Sequence, residues 1–408
     1  MNHYCTYFDR GFLIQGLALW RSLAAQDPDA VLWVLALDDF TVDVLREVGG
    51  TWMRVVPLAE LEASVPKLAA AKANRSRVEY YFTLSPCWPR WLLARHPEIE
   101  RITYVDADMF FFGHPAPIFA AMEAEQASVL ITGHRFPAWL RHYERHGRFN
   151  VGILSFSNDV AGRACLDDWF TRCLAWCYDR LEDGKYADQK YLDEWPARLG
   201  AALLVLEHPG VNLAPWNWSR TRWSAASPTR FPTAAPDKRV GSSLLLSLRG
   251  VGGDEAIQLD RHGSLPEPRD DSQKHAVPRV GGNAPHRDGQ PLILFHFARF
   301  RPASGDRWWQ SGQLDYGIMP FRLRNAIYGP YWRALTAART EIAARRNGFD
   351  FPSRSGRQGR EFWRTLPLRL ACGGNWLRIG DRFFNLSLGL GLFSGRILAA
   401  LRRFRSPR

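Results

Sequence analysis

The chain has 408 residues, 46% hydrophobic and 13% aromatic, ample for the core of one large domain with appendages or of two domains. Its net charge of +12 is unevenly placed: from Arg339 to Arg408 fifteen arginines face four acids, so the body is nearly neutral and a uniformly basic nucleic-acid-binding surface is not supported. Six cysteines, none in a zinc-like pattern with paired histidines, suit a reducing compartment.

The first hundred residues alternate strand-like and helix-like segments. "HYCTYF" (3–8) reads as a strand, "GFLIQGLALWRSLAAQ" (11–26) as a helix and "AVLWVLAL" (30–37) as a buried strand. A short helix from Thr41 and a third strand, "WMRVVPL", follow. "RVEYYFTLSPCWPRWLLARH" has helical spacing, with an interruption expected near Pro86 and Pro89. Such alternation predicts an α/β domain with a mostly parallel sheet flanked by helices. Further strands are expected at 127–136 and 148–158, a helix at 161–183, and strands at "ALLVLEHPG" and at "PLILFHFARF" (291–300). From about Ser224 to Arg287 the composition shifts to Pro, Gly, Ser, Arg and Asp, which predicts a loop-rich insertion. The expected division is a domain over residues 1–335 and a basic, amphipathic, largely helical extension over 336–408.

One stretch demands a chemical explanation. "RITYVDADMFFFGHP" sets Asp106 and Asp108 one residue apart inside an apolar run. Residues i and i+2 of a strand share a face, so the two carboxylates converge. Burying both without a positive partner is costly. Oxygen ligands at this spacing suit Mn²⁺ or Mg²⁺, and the carboxyl end of a strand is where open α/β sheets bind ligands. Phosphatases of the haloacid-dehalogenase type also place Asp-x-Asp there, but want Thr or Val where Phe110 stands.

Later segments narrow the choice. "RFNVGILSF", "YADQKYL" and "LILFHFARF" follow Asp-x-Asp in the order found in one enzyme family. Together they resemble the GT-A-type nucleotide-diphospho-sugar transferases, in particular the retaining family of glycogenin and the bacterial lipopolysaccharide galactosyltransferases. The resemblance spans about residues 2 to 300, leaving out 224–287. It implies a GT-A-type (Rossmann-like) fold and a metal held by Asp106, Asp108 and His296, with His208 the competing third ligand. It further implies a donor site drawing on Thr6, Tyr7, Phe8 and Asp9 for the nucleoside, and on Asp106 and Arg299 for donor phosphates or sugar. The Arg that relatives carry shortly after a Tyr in the helix before Asp-x-Asp is missing from "EYYFTLSP", which Arg77 and Arg90 flank, and Arg77 is expected in its place. Arg301 competes with Arg299 for the place of the family's phosphate-binding Lys. Asn150, Asp188 and Gln189 would lie near the reacting carbon. In "PGVNLAPWNW", Asn212, Trp216, Asn217 and Trp218 are groups suited to meeting a sugar or to core packing.

The implied activity is metal-dependent transfer of a sugar from a nucleotide-diphosphate sugar to a saccharide or lipid-linked acceptor, with retention, in surface polysaccharide or glycolipid assembly. A catalytically inactive, membrane-tethered GT-A-like binding module and a metal-dependent phosphotransferase or hydrolase are the alternatives. Arginines interleaved with bulky apolar residues over 361–408 suit docking on an anionic membrane surface. No apolar run approaches the roughly 18 residues of a spanning helix, and "MNHYCTYF" has no signal-like pattern. The expected location is cytoplasmic, peripheral on the membrane face, with no nucleic-acid partner.

Overall fold

The computed structural model describes residues 1–220, 223, 285–287, 290–304, 308–311, 313–317, 319–350, 375–379 and 382–386. Most of the expected insertion and most of the amphipathic stretch beyond residue 350 therefore lie outside the described residues.

The N-terminal alternation folds as expected: β1 (His3–Phe8), α1 (Leu13–Gln26), β2 (Val31–Ala36), α2 (Asp39–Val48) and β3 (Met53–Pro57). Short helices α3 (Leu58–Ser64) and α4 (Leu68–Asn74) lead to α5 (Arg77–Arg95) and β4 (Arg101–Val105). Ser76 and Glu79 close a reciprocal capping box at the start of α5. The interruption expected at Pro86 and Pro89 does not occur; α5 continues through both prolines. An interior proline costs about 3 kcal/mol, and here both are buried along a helix that also buries Tyr80, Leu84, Trp88 and Trp91.

Next come β5 (Met109–Phe111), α6 (Ala116–Ala124), β6 (Val129–Gly133), β7 (Phe149–Ser157), α7 (Val160–Ala175), α8 (Trp195–Leu199) and β8 (Leu203–Val205). The helix expected over 161–183 ends at Ala175, where Trp176 turns extended. The strand expected over 291–300 is broken. Its pieces are β10 (Gln290–Pro291), paired with β9 (His286–Arg287), then β11 (Leu294–His296) and the start of β12 (Phe300–Ser304). A four-stranded antiparallel sheet joins β12, β13 (Trp308–Ser311), β14 (Asn375–Ile379) and β15 (Arg382–Leu386). Between β13 and β14 lie α9 (Gln313–Tyr316) and α10 (Phe321–Arg345).

The main sheet has the order β3-β2-β1-β4-β7-β6-β8. Strands β3, β2, β1 and β4 are parallel, β7 runs antiparallel between β4 and β6, and β8 is parallel to β6. This is the mostly parallel α/β sheet flanked by helices that the sequence led us to expect. One apolar layer holds α1, α10 and the β5–β11 pair, including Leu17, Phe110, Phe295 and Tyr331. The other holds α5 and α7, including Trp88 and Trp169.

The boundary expected at 335/336 falls inside α10. Leu335, Ala338 and Ile342 are buried in the same layer as α1, so the helix belongs to the domain on both sides of that point. Residues 375–386, expected to be helical, contribute β14 and β15. Among the described residues no helix is long and apolar enough to cross a membrane. Cys5, Cys87, Cys165, Cys173 and Cys177 are free and buried.

Candidate metal and donor site

The site grows from the exit of β4. Tyr104 and Val105 are buried strand residues, and the chain then turns before β5, with the Met109 N–H donating to the Asp106 carbonyl at 3.1 Å. Asp106 and Asp108 thus converge from a turn, not from the alternation of a continuous strand. The Asp106 N–H donates to the Gly152 carbonyl on β7 at 2.9 Å. The Tyr104 hydroxyl donates to Asp106 Oδ1 at 2.7 Å.

Antiparallel pairing of β5 with β11 brings the third member in, because it sets His296 opposite Met109. His296 Nε2 lies 3.1 Å from Asp108 Oδ1 and 3.6 Å from Asp106 Oδ2. One ligand atom from each residue falls within 4.8 Å of the others. Burial, and after it the Asp108 carboxylate, push the Asp106 carboxyl above its ordinary range against the pull of His296. Burial acts to lower the His296 pKa, but Asp108 and Asp106 outweigh it and raise it. The three groups hold one another by sharing charge, which is the place a cation would take. His208 is elsewhere: its Nδ1 accepts from the Gly210 N–H at 3.1 Å.

A buried amide network stands behind His296. Asn150 Oδ1 accepts from the Gly152 N–H and from Asn212 Nδ2, each at 3.0 Å. Asn212 Nδ2 also donates to Thr132 Oγ1 at 2.8 Å. That fixes the Asn150 amide with its Nδ2 toward His134 Nε2 at 3.4 Å. Burial lowers the His134 pKa to about 3, so the ring is a neutral acceptor. Trp216 Nε1 and Asn217 Nδ2 donate to the His134 carbonyl at 2.9 and 3.0 Å. Asn212, Trp216 and Asn217 are therefore buried framework, while Trp218 is half-buried.

Gly152 is the residue that close packing requires. A Cβ there would meet Asn150 Oδ1 at 2.5 Å, Met109 Cε at 2.7 Å and His296 Nδ1 at 2.8 Å. Sequence reasoning did not single out Gly152, Tyr104 or His134. The glycine within "FNVGILSF" was the available signal; nothing local marks the other two.

Asp188 follows Ala187, whose φ of 47° is left-handed. Its carbonyl accepts from Trp169 Nε1 at 2.9 Å. Burial pushes its carboxyl up to about 7, with Asp106 adding to the rise and a hydrogen bond from Ser85 opposing it. Ser85 also meets the Tyr7 hydroxyl at 2.9 Å, which links β1, α5 and Asp188. Gln189 points another way: its Nε2 donates to the His146 carbonyl at 3.1 Å.

Of the β1 residues, Tyr7 is half-buried and its ring meets Tyr81 and Tyr104 at centroid distances of 6.5 and 5.8 Å. Asp9 accepts from the Gly11 N–H at 2.8 Å and the Tyr81 hydroxyl at 3.1 Å. Thr6 and Phe8 are buried in the core. Arg77 is exposed at the start of α5 and close enough to Tyr81 to act on its charge state. Arg299, at a left-handed φ of 63°, pairs with Asp315 at 2.9 Å and lies over the Tyr316 ring. The structure thus gathers Asp106, Asp108, His296, Asn150 and Asp188, with Tyr7 linked through Ser85. It leaves Gln189 turned toward the loop before β7.

No family model matches the chain. Among solved structures it is similar to the galactosyltransferase LgtC in complex with donor and acceptor sugar analogues. That match has 15% identity, covers 53% of this chain and 77% of that one, and has a TM-score of 0.37. Two proteins of Bacillus subtilis (strain 168), both described as uncharacterized, are similar in sequence. YfnF is 35% identical over 230 residues, 54% of this chain and 74% of its own length. YfnD is 31% identical over 218 residues, 53% of this chain and 68% of its own length. On identity and extent together, the chain belongs to the family of YfnF and YfnD.

Proposed function

We propose that this protein is a divalent-metal-dependent glycosyltransferase. It moves a sugar from a nucleotide-diphosphate sugar to a saccharide or lipid-linked acceptor, with retention, in the assembly of surface polysaccharide or glycolipid. The observation that carries this reading is the convergence of Asp106, Asp108 and His296 beyond the carboxyl end of β4. Two carboxylates and an imidazole form a donor set suited to Mn²⁺ or Mg²⁺, and the paired carboxylates need a positive partner. When bound, such an ion supplies Lewis-acid stabilisation of charge on the departing diphosphate.

The chain's own residues bind and orient. Tyr104 fixes one oxygen of Asp106 and leaves the other toward His296. Tyr7 and Asp9 serve the nucleoside, and Arg77 and Arg299 the diphosphate. Asn150 and Asp188 flank the transferred sugar, and Gln189 acts by holding the loop before β7. In the transfer, the bond from the anomeric carbon to the diphosphate oxygen breaks and its electron pair stays with the diphosphate. A bond forms from the acceptor oxygen to that carbon, and the acceptor proton passes to the released diphosphate.

The test is hydrolysis of a panel of nucleotide sugars by purified protein. Mn²⁺-dependent nucleotide release that Asp106→Asn abolishes is the expected result. Equal release by both proteins in EDTA would sink the reading. The basic stretch 361–408 is proposed to dock the enzyme peripherally on the anionic cytoplasmic membrane face. Co-sedimentation with anionic vesicles should then be lost when Arg396, Arg402, Arg403 and Arg405 are replaced by glutamine in the full chain.

A further inference from the structure

A cleft of about 680 Å³ opens between the 3-10 segment Ala138–His146, the entry to β7, and Ser219–Arg220. Four arginines line it (Arg135, Arg141, Arg148 and Arg220) against one acid, Glu144. Arg135 is engaged by the carbonyls of His208, Val211 and Asn212. The other three are exposed, and among the described residues none of them has an ion-pair partner. Like charges gathered around one concavity repel, and guanidinium forks are matched to phosphate and carboxylate. Phe136 and Trp139 add aromatic surface to the same walls.

A run of ring contacts leads from the cleft to the metal ligands. Phe136 stacks on His134 at 4.8 Å, Trp216 lies 6.5 Å from Phe136, and His296 lies 5.2 Å from Trp216, all between ring centroids. The lining of the cleft shares no residue with the Asp106, Asp108 and His296 cluster, so a diphosphate held there leaves the cleft free. The segment is also tied to the donor side, since Gln189 and Lys190 donate to the carbonyls of His146 and Glu144 at 3.1 and 3.3 Å.

We infer that this cleft is the acceptor subsite and that it selects an acceptor bearing a phosphate or carboxylate group. The inference rests on the glycosyltransferase reading above. Arg141, Arg148 and Arg220 hold the anion, the aromatic side chains pack on the C–H face of the acceptor sugar, and an acceptor hydroxyl is left directed toward the donor.

The experiment measures binding of glucose, glucose 6-phosphate and glucuronate to the full chain at low salt, with Mn²⁺ and a saturating nucleoside diphosphate present. Both anionic sugars, or the one whose group the site prefers, should bind at least about ten-fold more tightly than glucose. Arg141→Gln/Arg220→Gln should remove most of that preference while leaving Mn²⁺-dependent nucleotide-sugar hydrolysis intact. Equal binding of all three sugars, or an unchanged preference in the double variant, would each overturn the inference. If the anionic preference holds but no nucleotide sugar is hydrolysed, the glycosyltransferase reading fails and the subsite loses its acceptor role. Hydrolysis without any preference defeats the subsite alone.

Discussion

Trp216 stands edge-on to His296, ring centroids 5.2 Å apart and planes at 77°, while its indole N–H donates to the His134 carbonyl at 2.9 Å. The indole is fixed by that hydrogen bond, so it in turn limits rotation of the imidazole that presents Nε2 to Asp108. Groups that orient a metal ligand without touching the metal typically contribute 10- to 100-fold in affinity. Trp216→Ala should therefore weaken Mn²⁺ binding by roughly ten-fold or more, and Trp216→Phe by less. A Mn²⁺ titration followed by electron paramagnetic resonance checks this, and unchanged affinity in Trp216→Ala would show that His296 needs no such support.

The cluster itself gives a sharper contrast. Asp106→Asn and Asp108→Asn each remove a charge but keep the shape, so both should fold and lose metal-dependent hydrolysis. His296→Ala should weaken Mn²⁺ binding far more than it lowers the melting temperature. His208→Ala serves as the control, because His208 bonds its own turn and not the cluster. A His208 variant with the larger loss of Mn²⁺ affinity would reverse the assignment of the third ligand.

Gly152→Ala tests how tightly β7 and β11 must approach. The added methyl would meet three atoms at 2.5 to 2.8 Å, one of them His296 Nδ1. Overpacking of this kind costs about 1–3 kcal/mol, and relief requires moving Asn150, Met109 or His296. Both stability and Mn²⁺ affinity should fall. A variant as stable and as metal-competent as the parent would mean the site relaxes freely.

The contrast between Asp106 and Tyr104 shows how much of the site was legible in the sequence. Two carboxylates in an apolar run are conspicuous because burial makes them costly, and the periodicities of β1 to β4 placed them at the carboxyl end of a sheet strand. Tyr104 looks like any strand aromatic until the fold puts its hydroxyl on Asp106. His134 likewise gains meaning only from the antiparallel placement of β7 between β4 and β6, which no local pattern encodes. Pro86 and Pro89 misled for the opposite reason: local propensity forbids what tertiary burial permits. The buried stripe of α10, Ile327, Tyr331, Leu335, Ala338 and Ile342, runs past the boundary expected at 335/336, where the sequence shows only scattered arginines.

That stripe makes its own prediction. Ile342 is fully buried in the layer shared with α1, and Phe349 stacks on Phe40 with centroids 5.7 Å apart. Ile342→Ala leaves a cavity and should cost about 2–5 kcal/mol. Urea unfolding should show the loss in the midpoint with an unchanged slope. A change below about 0.5 kcal/mol, the range of ordinary surface substitutions, would mean this end of α10 is not part of the cooperative unit.

Burial of neutral His134 makes the fold less stable in acid. In the folded protein burial holds its pKa near 3, against an ordinary value of 6.5. Between those values the unfolded chain takes up a proton that the folded chain does not, so stability falls as the pH falls. The contribution is fully present above pH 6.5 and is lost progressively toward pH 3. At 1.36 kcal/mol for each pH unit, the loss between the ordinary value and pH 5 is about 2 kcal/mol. Protonation would also set an N–H against the Asn150 amide donor 3.4 Å away. His134→Gln removes the titration but not the polar contact. Stabilities measured in EDTA at about pH 7 and pH 5 should therefore differ by roughly 2 kcal/mol less in the variant than in the parent. Identical pH dependence in the two proteins would show that His134 is solvated and titrates normally.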